Sequence, residues 1–449
     1  HGRSGRSRTL HCAKGYSSLM HDAIGFPGRR AACMQSRAPE STGFSIDTGG
    51  TSPYTDHTQN SKCSVPESVE DGARTRWKRR VKKWNRKKIG AVLSLGLLFV
   101  GMLEGCSRSV TPERYSKQFL DVFDTVSMEI GFEKSEADFM KCYDASHAQL
   151  LKEHQLYDIY NSYEGMNNLK TVNDQAGIQP VAVDKDLLDL IKWGKEVYTL
   201  TDGKVNIAYG AVLKLWHEKR EAGMEDPEHA ELPDPEALEE AAKHTSIDDV
   251  IIDEAAGTLY LRDPEMSLDV GGIGKGYATE RAAQLVKEEG AASFLLNLGG
   301  NVRAIGTKGD GSKWVCPVEN PDYRDTQTGA QYAVTCYLED RSLVTSGDYE
   351  RYYTVNGQRY HHIIDPDTLY PATYHRSVSI LTEDSGLADA LSTALFMMSV
   401  EDGKKLITAL HEGTSPLGPD QKVEKLEAMW IDADGHQEYT DGFLDYTKE

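Results

Sequence analysis

Residues 267–283, SLDVGGIGKGYATERAA, set Gly271, Gly272, Gly274 and Gly276 around one lysine, Lys275, and then run into a helical pattern. Glycine-rich loops at helix starts often cradle phosphates, because unpaired backbone N–H groups point at the ligand. Register excludes two familiar loops of this kind. A Walker-type loop needs glycine where the chain has Asp269 and Ser or Thr where it has Gly276. A dinucleotide fingerprint on Gly272 and Gly274 needs Gly or Ala at 277, which is Tyr277. Two readings stay open: a tight strand-to-helix turn, or a loop whose missing Cβ atoms let backbone groups approach a ligand.

Two further segments carry chemistry. In LADALSTALF (387–396) Asp389 and Thr393 share one helix face among Leu387, Leu391, Leu395 and Phe396. A carboxylate and a hydroxyl in such company need partners. They suit Mg²⁺, which takes oxygen ligands and substrate phosphates, or Asp389 caps the helix start. The region 345–372 holds a Ser346–Gly347 turn, His361 and His362, and the turn-rich DPDTLYP. It shows no compelling Ser-His-Asp order, so a hydrolase triad is not expected.

The chain has 449 residues, with 39% hydrophobic and 27% charged, values of a globular protein. Its net charge of -20 is uneven: the first hundred or so residues are basic and the rest is acidic. An acidic body argues against nucleic acid as a partner. The seven cysteines are scattered, without a disulfide framework or zinc spacing. Residues 1–73, starting at His1, are rich in Ser, Gly, Arg and Thr and are expected to be disordered or to lie upstream of the true start. The basic run RTRWKRRVKKWNRKK (74–88) and the apolar IGAVLSLGLLFVGMLEGC (89–106) match a signal segment better than a spanning helix. They place 74–105 as a lipoprotein-type signal, Cys106 as the acylated residue and 106–117 as a linker. The alternative is an uncleaved N-terminal anchor. Either way the body is expected on the extracytoplasmic side of the cell membrane, tethered to it.

From about residue 118 the chain alternates strands and helices, which points to a single α+β domain over 118–449. A strand is expected over FLDVFDTVSMEIGF (119–132) and helices over 134–160, 184–203 and 278–290. Hairpins are expected at 250–263 and 293–306, one long helix over 385–410, and a closing strand pair over 425–440.

DVGGIGKGYATE (269–280), TSGDYERYY (345–353), HHIIDPDTLYPA (361–372) and LADALSTALF (387–396), in this order, resemble the ApbE family of FAD:protein FMN transferases. The resemblance implies a T-fold-related domain of mixed antiparallel sheets and packed helices. It implies FAD as substrate with Mg²⁺, and an acceptor flavoprotein whose Ser or Thr hydroxyl takes FMN while AMP leaves. It carries metal binding to Gly272, Asp389 and Thr393, with Asp389 and Lys275 as catalytic groups. Asp269, Lys275, His362 and Ile363 become flavin-nucleotide contacts. Lys204, Val205 and Asn206 in DGKVNIAYGAVLKLWH (202–217) stand where Ala, Phe and Asp are frequent, an amide replacing a carboxylate. Phe123 and Thr125 in DVFDTVSMEI (121–130), and Tyr163 in DIYNSYEGMNNLKTVND (158–174), fall near the flavin by analogy. The proton acceptor is open between Asp389 and a metal-bound water. A Mg²⁺-dependent FAD pyrophosphatase and a non-catalytic flavin-binding lipoprotein are the alternatives.

Overall fold

A computed structural model describes residues 111–448; the leader, the signal segment and Cys106 lie outside the described residues. The chain opens on a hairpin, β1 (Glu113–Phe119) and β2 (Ser127–Glu133), followed by α1 (Glu136–Tyr157), α2 (Leu169–Asp174) and β3 (Val181–Ala182). Then come α3 (Lys185–Leu200), α4 (Gly210–Glu225), α5 (Pro235–Ala241) and the hairpin β4 (Val250–Asp253) and β5 (Thr258–Leu261). Helix α6 (Gly274–Glu288) leads into the hairpin β6 (Phe294–Leu298) and β7 (Asn301–Ile305). Next are β8 (Trp314–Glu319), α7 (Pro321–Thr326), β9 (Tyr332–Leu338) and β10 (Ser342–Gly347). The hairpin β11 (Tyr352–Val355) and β12 (Gln358–His361) precedes β13 (Ser377–Thr382). Helices α8 (Ser385–Phe396) and α9 (Val400–Glu412) and the strands β14 (Glu427–Ile431) and β15 (Gln437–Tyr439) close the domain.

The centre is an antiparallel sheet in the order β1-β2-β6-β7-β10-β13-β14-β15. At its centre both faces are covered, so β6, β13 and β14 are buried almost throughout. On one face Phe294, Leu296, Val378, Ile380 and Trp430 join the core formed with α1, α6 and α8. On the other, Ile130, Leu295, Met429 and Ile431 meet Trp314, Cys316 and Leu338 of the β8–β9 hairpin. A third apolar cluster joins α4 to β11 through Val212, Trp216, Tyr353 and Val355. The α+β expectation is met, and no described helix is long and apolar enough to cross a membrane.

Three boundaries differ from the sequence reading. Residues 113–117, expected as linker, belong to β1, which pairs with β2 from Glu113 to Phe119. The strand is polar because it is a sheet edge with one exposed side, the placement in which charged residues discourage further pairing. The single strand expected over 119–132 is interrupted: residues 120–126 form a loop in which Phe123 (φ 52) and Asp124 (φ 50) are left-handed. The long helix expected over 385–410 is two helices, because the Ser399 side chain caps α9 by accepting the Asp402 N–H.

One buried acid makes the fold pH-sensitive. Glu129 on β2 is fully buried and accepts the Ser146 hydroxyl at 2.8 and 2.9 Å. Burial pushes its carboxyl up to about 8 against the pull of that hydroxyl and of Lys117. A carboxyl raised above its unfolded value stabilises the fold fully below the unfolded pKa, and loses that contribution as pH rises through the folded one. We therefore expect the thermal midpoint of the wild-type chain to fall as pH rises from 5 to about 9. Glu129→Gln should flatten the fall, as measured by melting curves across that range; parallel curves for both proteins would show that Glu129 stays charged.

Candidate active site

The loop before α6 is shaped by its own hydrogen bonds. The Asp269 N–H donates to the Ile207 carbonyl at 2.9 Å, and Asp269 Oδ1 accepts the Gly271 N–H at 2.7 Å. The first turn of α6 has no side-chain cap from Ile273. Its Gly276 N–H is satisfied instead from across the core, by Asp389 Oδ2 of α8 at 2.7 Å. The helices meet there because residue 276 lacks a side chain: a Cβ on Gly276 would lie 2.3 Å from both Asp389 Cβ and the Ser385 carbonyl oxygen. One turn along α8, Thr393 Oγ1 donates to the Gly272 carbonyl at 3.2 Å. Gly272, Asp389 and Thr393, distant in sequence, thus converge.

Lys275 stands beside this group. Its ammonium donates to Asn301 Oδ1 at 3.2 Å, and Asn301 is buried at the start of β7. Burial raises the Asp389 carboxyl, opposed by Lys275 and by the Gly276 N–H. Burial lowers the Lys275 ammonium, with Asp389 opposing and Arg351 adding to the lowering. The His362 ring is driven well below the ordinary histidine value by burial first, then by Arg351, His361, Arg220 and Lys275. Its Nδ1 is buried without a hydrogen-bond partner among the described residues.

Arg220 and Arg351 complete a positive wall that the sequence reading did not single out. Arg220 follows Trp216 by one turn of α4, on the side packed against β11. Arg351 directly precedes β11, and the Tyr352–His361 pairing of the hairpin puts it across from His362. Lys275 and Arg220 give their hydrogen bonds to an amide oxygen and a ring nitrogen. Arg220 Nη2 donates to His217 Nδ1 at 2.7 Å, which requires an unprotonated nitrogen there, while His217 Nε2 lies 2.9 Å from Glu221. Asp269 faces Arg220 and Tyr160 from the loop side. Cations that give their hydrogen bonds to partners other than carboxylates suit a polyanionic ligand.

The remaining expected contacts are arranged differently. Ile363 is buried beside His362, its N–H donating to His361 Nδ1 at 3.2 Å. Phe123, in its left-handed conformation, donates its N–H to His154 Nδ1 at 3.1 Å and packs on Tyr157. Thr125 sits against the Gly299 turn, where a Cβ would lie 2.2 Å from its hydroxyl oxygen. Tyr163 donates its hydroxyl to Asp158 at 2.7 Å. Val205 is buried in the core. The Asn206 amide is used by the backbone, donating to the Thr245 carbonyl at 2.9 Å and accepting the Ala208 N–H at 2.9 Å. The Lys204 ammonium is held by Asp365 at 2.8 Å and Asp367 at 2.7 Å. Lys204 and Asn206 thus have protein partners for the groups expected to meet the flavin. A cavity of about 280 Å³ elsewhere, lined by Trp193, Leu387 and Leu410, includes none of these residues.

The ApbE family model matches residues 125–416, which takes in every segment that builds this site. The chain belongs to the ApbE family. It is 32% identical over 256 residues to the FAD:protein FMN transferase of Klebsiella pneumoniae (strain 342), covering 57% of this chain and 75% of that protein. The FAD:protein FMN transferase of Treponema pallidum (strain Nichols) is 37% identical over 253 residues, 53% of this chain and 67% of that one. Among solved structures, the ApbE protein of Thermotoga maritima superposes with a TM-score of 0.63 at 29% identity, over 75% of this chain and 100% of that chain. The flavin transferase ApbE of Vibrio cholerae has the same fold, with a TM-score of 0.60 at 23% identity over 75% of this chain and 99% of that one. The fold expected from the four ordered motifs is therefore that of the ApbE family.

Proposed function

We propose that this chain transfers the FMN moiety of FAD to a Ser or Thr hydroxyl of an acceptor flavoprotein, releasing AMP. The observation that carries the reading is the convergence of Gly272, Asp389 and Thr393 beside a wall of Lys275, His362, Arg220 and Arg351. The relatives named FAD:protein FMN transferase support it.

The donor set fits a hard divalent cation such as Mg²⁺: one carbonyl, one carboxylate and one hydroxyl oxygen, with the Thr393 and Gly272 oxygens already 3.2 Å apart. Bound there, such an ion would neutralise charge on the FAD diphosphate and polarise its phosphorus–oxygen bonds. The protein's own groups do the rest. Lys275, Arg220 and Arg351 grip the diphosphate oxygens, and positioning with electrostatic stabilisation dominates phosphoryl transfer. As the acceptor oxygen bonds to the FMN phosphorus, the bond from that phosphorus to the AMP oxygen breaks and the acceptor gives up its proton. His362, held neutral with Nδ1 unbonded among the described residues, can receive it once the bound diphosphate offsets the cations that oppose its protonation. Asp389, which already accepts the Gly276 N–H, is better placed to hold the ion than the proton.

The same proposal puts the enzyme on the extracytoplasmic face of the cell membrane, anchored by acylated Cys106. Support comes from the basic run at 74–88 and the apolar run at 89–103. Metabolic labelling with a fatty acid should mark the wild-type chain and not Cys106→Ala; equal labelling of both would remove Cys106 as the anchor.

The activity is tested by incubating the chain with FAD, Mg²⁺ and a Thr-bearing acceptor domain and weighing the acceptor by mass spectrometry. Covalent FMN on the acceptor with free AMP is expected. Asp389→Ala and His362→Gln should each slow transfer about a hundredfold or more. Free FMN and AMP with an unlabelled acceptor would make the protein a pyrophosphatase. Bound, unchanged FAD would make it a carrier. Full activity in Asp389→Ala would overturn the metal assignment.

A further inference from the structure

We propose that Lys204 is a positioning residue for the flavin site: its ammonium clamps Asp365 and Asp367, and the clamp holds the strained loop that presents His362 and Ile363. The inference rests on the FAD reading above and concerns how this chain builds that site.

Lys204 follows a left-handed turn at Asp202 (φ 50) and Gly203 (φ 80) that ends α3. The turn is fixed to that helix by the Lys204 N–H to the Thr201 carbonyl and the Val205 N–H to Thr201 Oγ1, both at 3.1 Å. Its side chain is therefore delivered from a rigid base. It reaches Asp365 Oδ1 at 2.8 Å and Asp367 Oδ2 at 2.7 Å, more than a hundred and fifty residues later in the chain. Asp365 is buried and Asp367 is exposed. A buried carboxylate needs its counter-charge, and removing one partner of such a pair is strongly destabilising locally.

The loop that Asp365 anchors is strained. Leu369 has φ 63, a left-handed conformation that bulky side chains avoid. It is held there from three directions. The Leu369 N–H donates to the Asp365 carbonyl at 2.8 Å, the Trp216 indole N–H donates to the Leu369 carbonyl at 2.9 Å, and the Asp365 N–H donates to the Tyr370 carbonyl at 2.9 Å. Just before the loop, the Ile363 carbonyl accepts the Ala372 N–H at 3.0 Å, and His361 Nε2 lies 2.8 Å from the Ala372 carbonyl oxygen. Asp365 is thus the joint between the clamp and the segment carrying His362 and Ile363. Without the cation, the loop can release its strain and His362 loses its fixed place beside Lys275 and Arg351.

The test uses the full chain with wild type, Lys204→Met, Lys204→Arg and Lys204→Met combined with Leu369→Gly. FAD binding is followed by flavin fluorescence, transfer by KM for FAD and kcat, and folding by thermal melting. Lys204→Met is expected to bind FAD about tenfold more weakly. Its KM for FAD should rise more than its kcat falls. Lys204→Arg should recover most of the affinity, and Leu369→Gly should recover part of it by removing the strain that the clamp restrains. If Lys204→Met does not fold, Asp367→Asn removes only the exposed half of the clamp and should weaken FAD binding in the same direction. A lower melting temperature with FAD affinity unchanged would overturn the inference and leave the clamp purely structural. A wild-type chain that binds no FAD would overturn the flavin reading itself, an outcome distinct from wild-type binding matched by the variants.

Discussion

Helices α6 and α8 approach as closely as they do because residue 276 has no side chain. The space a Cβ would fill holds Asp389 Cβ and the Ser385 carbonyl. That contact lets a backbone N–H at the start of α6 satisfy a buried carboxylate on α8. It also fixes the register in which Thr393 meets the Gly272 carbonyl one turn away. A charge buried without a partner would shift its pKa or disrupt the core; here the Gly276 N–H and Lys275 share that burden. The glycine-rich loop is therefore less a cradle for phosphate than a means of bringing one carbonyl and one lysine to an acid on another helix.

The rest of the site hangs on this junction from two sides. From the sheet, Asn301 holds Lys275 in place. From the α4 and β11–β12 side, Trp216 and Tyr353 pack together and carry Arg220 and Arg351 toward His362. Two bulky residues, Phe123 and Leu369, have left-handed backbone. Such conformations persist only where surrounding contacts over-determine them, and they gather at functional sites. His154 restrains Phe123, and Trp216 with the Lys204 clamp restrains Leu369.

Much of this was legible in the sequence, and the parts that were not have physical reasons. The hairpins β4–β5 and β6–β7 announced themselves by glycines at their turns, and α3 by its amphipathic period. Strand β1 was hidden because an edge strand is polar and resembles a linker. The break between α8 and α9 was hidden because both helices keep a helical period, and only Ser399 signals the new start. Asp389, Thr393, Gly272 and Lys275 stood in recognisable motifs. Arg220 lay in a charged helix where nothing local separates a functional arginine from a solvated one. Its signal is its spacing from Trp216, visible only once Trp216 is known to face β11. The partners of Lys204, Asp365 and Asp367, come together with it only in the folded protein, so its place in the chain points to the flavin instead.

On the proposed reading, α6, α8, α4 and the β11–β12 hairpin together build one diphosphate site. A crystal of the chain grown with FAD and Mn²⁺, with data collected for anomalous scattering, tests it most directly. A single strong peak in contact with Asp389, Thr393 and the Gly272 carbonyl is expected, with diphosphate oxygens within reach of Lys275, Arg220 and Arg351. A peak elsewhere, or FAD bound with its diphosphate away from those groups, would contradict it.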